Sequence, residues 1–134
     1  MKSIVLLFTL FALLSCQEET NVDQVAEVPF ESIVIKNGRY TEYYLNTKTK
    51  KIEGNIDRDS LRNGRWDYFN TSGNKLSFTL YKHGKKHGHS YIAYPDGAPY
   101  YYGEYLEDSM VGVWKYFDQN GVKTEKDYGF PEGY

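Results

Sequence analysis

Apolar residues are distributed along this chain in two distinct ways. Near the N-terminus they form one run, Ile4 to Leu14, broken only by Thr9; from about position 33 onward they fall at alternate positions instead. The run is too short to cross a bilayer as a helix, which needs roughly 20 residues. Preceded by Met1-Lys2-Ser3 with its single positive charge, it has the form of an export signal. The alternating region predicts β-strands, because side chains on a strand point to opposite faces in turn. Trp66, Tyr68 and Asn70 alternate with Arg65, Asp67 and Phe69, and Trp114 and Tyr116 repeat the pair. Leu76, Phe78 and Leu80 share one face of a following strand, where Tyr100 and Tyr102 take the equivalent places in the next repeat.

Glycines divide these strands at a fixed period. Gly64, Gly88 and Gly112 are spaced by 24 residues, as are Gly73, Gly97 and Gly121. The resulting blocks read GRWDYFNTSG, GHSYIAYPDG and GVWKYFDQNG. An earlier version begins at Asn37-Gly38-Arg39-Tyr40, with its turn rewritten as Asn46-Thr47-Lys48-Thr49-Lys50. Each block is a strand, a turn rich in Asn, Asp, Ser and Gly, a second strand and a second turn such as His83-Gly84-Lys85-Lys86-His87-Gly88. One repeat is therefore one β-hairpin. A hairpin cannot bury its apolar face alone, so neighbours must pair side by side. The expected fold is all-β: a single antiparallel sheet of tandem hairpins, about 24 residues each, with seven to nine strands. Ile33-Val34-Ile35 should open the sheet, and Lys123 to Tyr128 should close it, with Lys123, Glu125 and Asp127 blunting the edge. Helix beyond the export segment should be nearly absent.

Two resemblances add to this reading. Leu13-Leu14-Ser15-Cys16 resembles the lipobox of bacterial lipoprotein precursors. It implies lipidation of the Cys16 thiol and cleavage before it. The alternative is an ordinary signal peptide with an incidental Cys. Gln17-Glu18-Glu19 resembles the surface-export signal of Bacteroidota lipoproteins, against the plainer reading of a solvated linker. The stretch Tyr81-Lys82-His83-Gly84-Lys85-Lys86-His87-Gly88-His89-Ser90-Tyr91 resembles a MORN repeat. The longer Gly-x-Trp-x-Tyr-Phe-(x)3-Gly pattern is similar to the MORN-like repeats of the YwqK-type antitoxin family, over about residues 37 to 128. That resemblance implies a fold more than a function, since such sheets serve as scaffolds in unrelated systems. A cytosolic antitoxin would also conflict with export. Ser90 stands where the pattern has Trp66 and Trp114, which predicts looser packing there.

The domain reading is thus 1–15 export signal, 16–32 lipidated Cys and acidic tether, and 33–134 hairpin repeats. From Gln17 to Ser32 there are five acidic residues and no basic ones, and Pro29 interrupts any helix, so a flexible tether is expected. Sixteen such residues reach roughly 20–25 Å. The expected location is the bacterial cell envelope, lipid-anchored at the outer membrane and open to surface exposure.

Composition narrows the function. Fourteen Tyr, seven Phe and two Trp make 17% of the chain aromatic, in keeping with β-structure and an aromatic core. A formal charge of -2 argues against electrostatic nucleic-acid binding. Cys16 is the only cysteine, so no intrachain disulfide and no Cys-based metal site is expected. His83, His87 and His89 cluster within seven residues, but no acidic ligand lies among them, so they read as turn and strand residues rather than a metal site. Lys82, Lys85 and Lys86 beside Gly84 and Gly88 read as a solvated basic turn rather than a phosphate cradle. No nucleophile elbow or phosphate-binding loop is present, so neither catalysis nor a cofactor is expected.

Tyr91, Tyr101 and Tyr105 share one strand parity, opposite to Tyr100 and Tyr102. One of these aromatic sets should be core. The first set is the candidate binding surface, weighed against aromatics packing on both faces of a thin sheet. The expected function is a membrane-anchored, non-catalytic protein-interaction scaffold, with an antitoxin- or immunity-like role as one form of it; the alternative is a glycan- or envelope-polymer-binding surface lipoprotein. Lipidation is directly testable. Labelled palmitate should enter the protein in a lipoprotein-processing bacterium, and Cys16→Ala should abolish that label. Label retained by the Cys16→Ala chain contradicts the assignment.

Overall fold

The computed structural model describes residues 32–133; the residues read as an export signal, Cys16 and the expected tether as far as Glu31 lie outside the described residues. Nine strands follow one another: β1 Ile33–Lys36, β2 Arg39–Tyr43, β3 Lys50–Ile56, β4 Arg62–Phe69, β5 Lys75–Lys82, β6 Lys85–Ala93, β7 Pro99–Leu106, β8 Ser109–Phe117 and β9 Lys123–Asp127. Each pairs antiparallel with its sequence neighbours, giving one open sheet in chain order. The tandem-hairpin expectation holds, including the opening and closing strands. Among the described residues there is no helix, and so none long and apolar enough to cross a membrane.

The period of 24 has a backbone cause. Gly64, Gly88 and Gly112 adopt φ of +74°, +93° and +60°. Around each of them the strand ladder slips by two residues, from Gly54↔Trp66 to Asn55↔Asn63, from Thr79↔Ser90 to Tyr81↔Lys86, and from Tyr102↔Lys115 to Glu104↔Val111. These bulges accentuate twist at regular intervals. The second glycine of each block closes a turn held by an Asx contact. Asn70 Oδ1 accepts from the Ser72 and Asn74 N–H groups, and Asp118 Oδ1 accepts from Asn120 and Val122. Hydroxyls then pin turn to turn. Tyr44 donates to the Phe69 carbonyl at 2.7 Å, and Tyr94 repeats the contact at Phe117 at 2.9 Å.

A single layer has no second sheet to bury against, and its core is small. Among the described residues Trp66, Val111 and Trp114 are the buried hydrophobic ones, with the indoles 2% and 0% exposed. Both indoles lie on one face, called here the Trp face, and each rests on a glycine of the preceding strand. A Cβ added to Gly54 would fall 2.3 Å from the Trp66 ring, and one at Gly103 would fall 2.2 Å from Trp114. The indole N–H groups are satisfied by backbone: Trp66 Nε1 donates to the Asn55 carbonyl at 2.9 Å, and Trp114 Nε1 to the Glu104 carbonyl at 3.1 Å.

Ser90 does not loosen the sheet as its departure from the pattern predicted. Its register partner is Thr79 instead of glycine, and the two hydroxyls hydrogen-bond at 2.8 Å with both residues buried. Where the large residue is replaced by a small one, its partner grows by the same logic, and the buried polar atoms satisfy each other.

The Trp–Gly complementarity generates a double-mutant prediction. Gly103→Thr should destabilise by about 1–3 kcal/mol or more through overpacking, and Trp114→Ser by about 3–5 kcal/mol through lost burial. Combined, they recreate the Thr79–Ser90 pair. Denaturant melts should show the double variant clearly more stable than the sum of the single losses. Strict additivity contradicts the contact.

Candidate functional site

Register decides which side chains meet. Across all nine strands one continuous row runs Val34, Thr41, Glu53, Asp67, Phe78, Tyr91, Tyr102, Lys115, Glu125, each residue paired with the next. This row lies on the face opposite the two indoles. Its centre is an aromatic ladder. Phe78 stacks on Tyr91 with centroids 6.2 Å apart, and Tyr102 stacks on Phe117 at 5.9 Å. Cations close both ends: the Arg65 guanidinium lies 4.0 Å over Phe78, and the Lys115 ammonium 5.3 Å over Tyr102.

The ladder forms the floor of a groove of about 620 Å³, with Val113 and Phe130 among its walls. The C-terminal segment shapes that wall. The Gly112 N–H donates to the Gly129 carbonyl, and the Phe130 ring lies where a Cβ on Gly112 would be, at 3.0 Å. Apolar exposure is high here, with Val113 49%, Phe130 51% and Tyr102 37% exposed. Toward β3 the row turns ionic. Glu53 is buried and meets Arg39 and Lys50, both at 2.9 Å, while Asp67 meets Arg65 and Lys75. Burial works against the charge on both carboxyls, but these cations outweigh it and hold both below the ordinary carboxylate range.

The three tyrosines singled out by parity do not share a face. Tyr91 is in the groove, opposite Phe78 and Tyr102. Tyr101 pairs with Ile92 and Tyr116 on the Trp face, 5.7 Å from the Trp114 ring. Tyr105 packs edge-on against Trp114 at 4.8 Å. Burial raises the Tyr101 and Tyr105 hydroxyls above the usual phenol range. Numerical parity fails because paired residues on β6 and β7 sum to an odd number, as 91 and 102 do, so the face changes parity across the turn between them. Tyr101 and Tyr105 therefore pack half-buried around Trp114 on the Trp face, and the platform built from all three is corrected to Phe78, Tyr91 and Tyr102. Tyr105 carried its own signal. It lies 24 residues after Tyr81, which packs edge-on against Trp66 at 6.3 Å.

The histidines acquire acidic partners that sequence proximity did not show. His83 Nδ1 lies 2.7 Å from Asp57, on the neighbouring turn, and His87 Nδ1 lies 3.1 Å from Glu107. Ligand atoms of Asp57, Asp59 and His83 all lie within 4.8 Å of one another, a donor set of the type that binds divalent cations. Asp57 Oδ1 is already committed to the backbone N–H groups of Asp59 and Leu61. Desolvation opposes its charge, but those bonds and His83 keep its carboxyl below the usual range. Lys85 also joins Glu107, at 3.1 Å, so the basic turn is partly neutralised.

No family model, no curated protein and no solved structure matches the chain. The two faces nonetheless differ in a measurable way. Tyr101→Ser should lower the melting temperature well below that of Tyr91→Ser, because it opens the packing around Trp114, while Tyr91→Ser removes one ring from a groove floor. Circular-dichroism melts decide. Equal losses, or a larger loss at Tyr91, contradict the division of faces.

Proposed function

We propose that this chain is a membrane-anchored lipoprotein whose MORN-like hairpin sheet is a non-catalytic protein-interaction scaffold, with the groove over Phe78, Tyr91 and Tyr102 as its contact surface. One observation carries the reading. The fold satisfies its packing on the Trp face, yet the opposite face holds an open aromatic floor under a groove of about 620 Å³. Exposed aromatics concentrated in a concave site are a feature of contact surfaces. The occupant that fits is a protein segment bearing apolar side chains. Val113 and Phe130 offer apolar walls, and the exposed lining is mostly apolar although His89, Glu104 and Lys115 are among its residues. Lipidation at Cys16, proposed from the lipobox residues, would place this surface at a membrane, one tether length away.

A photo-crosslinking amino acid placed at Tyr102 and, separately, at Lys126 tests the reading in native envelopes. Lys126 pairs with Trp114 and so lies on the opposite face. A discrete protein adduct from position 102 alone, lost when Phe78→Ser is added, supports the proposal. Equal adducts from both faces, or adducts to polysaccharide, overturn it.

A further inference from the structure

The two edges of the sheet are built differently. β9 reads Lys-Thr-Glu-Lys-Asp, four charges in five residues, all exposed. Charged edges resist pairing with another chain. β1 reads Ile-Val-Ile-Lys, also wholly exposed, with Ile33, Val34 and Ile35 exposed by 48%, 36% and 59%. Among the described residues nothing pairs with its outer side.

The direction of its backbone groups follows from the hairpin. Lys36 and Arg39 flank the two-residue turn Asn37-Gly38, whose residues have φ of +51° and +72°. In such a hairpin the flanking pair exchanges both hydrogen bonds, and bonded pairs then recur at every second residue. Val34↔Thr41 is the next bonded pair, and the Tyr43 N–H donates to the Ser32 carbonyl at 2.7 Å beyond it. Even-numbered residues of β1 thus bond inward to β2. The N–H and C=O groups of Ile33 and Ile35 point outward, symmetrically disposed about Val34.

From this edge we infer a second binding site, independent of the groove: β1 pairs antiparallel with β1 of a second copy of this chain, extending the sheet across a two-fold axis through Val34. In that register Ile33 lies opposite Ile35 of the other copy, and the outward groups form four hydrogen bonds. Val34 faces its own counterpart, and Lys36 lies opposite Ser32. Every apolar residue of β1 meets another apolar residue, and the two lysines stay apart. Sliding the register by four residues one way would set Lys36 against Lys36, and sliding it by two would leave Ile33 or Ile35, according to direction, without an apolar partner. Ile33 and Ile35 share the Trp face with Tyr40, since Ile35 pairs with Tyr40, so matching faces stay continuous across the axis. The sequence is thus complementary to itself in one register, which is what a second copy requires and an unrelated strand does not.

Disulfide trapping in the full-length chain tests the register. On the axis Val34 forms a non-bonded pair, with Cα atoms about 4.5 Å apart, within disulfide reach. The two Lys36 residues are roughly 14 Å apart at strand spacing, beyond it. Val34→Cys should give at least about tenfold more dimer on a non-reducing gel than Lys36→Cys, or than the parent chain, whose only cysteine is Cys16. Adding Ile33→Lys and Ile35→Lys should remove the Val34→Cys dimer while the thermal melt shifts little. Dimer at Val34→Cys no greater than at Lys36→Cys, as expected if the chain's own residues 17–31 or another protein cover the edge, overturns the inference. So does trapping that persists undiminished beside the two lysines.

Discussion

Everything in this sheet depends on an indole lying against a bare Cα. A one-layer sheet has nothing above it to exclude water, so its core must be assembled from its own side chains. Trp66 over Gly54 and Trp114 over Gly103 provide that core. The missing Cβ lets each ring lie flat on the neighbouring strand, and surrounding tyrosine rings close around it: Tyr40 and Tyr81 about Trp66, and Tyr101, Tyr105 and Tyr128 about Trp114. Arg62 lies over the first cluster, 4.3 Å from the Trp66 ring, and its guanidinium donates to the Tyr68 and Tyr81 hydroxyls. Lys86, 24 residues later, lies over Tyr105 at 4.8 Å. Between the two clusters Thr79 and Ser90 bridge the sheet with a buried hydroxyl pair.

That concentration of packing on one face frees the other. The groove side is held by a shallow aromatic ladder and by ion pairs of exposed cations with the buried Glu53 and the half-buried Asp67. Exposed charges contribute little individually, so substitutions of those cations are tolerated better than substitutions around the indoles. The same asymmetry governs the edges: β9 is charged along its length, whereas β1 keeps apolar residues in the open. A sheet whose stability resides in one face can vary the other without unfolding.

Much of this was legible in the chain. Glycines at a spacing of 24 gave the repeat, the Asn- and Asp-rich turns gave the hairpins, and Ile33 and Lys123 marked the first and last strands. Their signals are local, and local chemistry decides turns. The assignment of faces was not legible, because it depends on the register across each turn, and the pairing of 91 with 102 across the β6–β7 turn shows in no alternation pattern within one strand. Tyr91 and Tyr101 therefore looked alike in sequence and fall on opposite faces. The Asp57–His83 and Glu107–His87 pairs were hidden for a related reason. Their members lie 26 and 20 residues apart and meet because adjacent turns align at one end of the sheet.

Collisional quenching of tryptophan fluorescence tests the central claim most directly, since Trp66 and Trp114 are the only tryptophans in the chain. If a single layer shelters both indoles with its own side chains, iodide should quench the folded protein only weakly, and its emission should be blue-shifted until denaturant releases both rings together. Native emission at the wavelength of free tryptophan, quenched as readily as in the unfolded chain, would contradict the account.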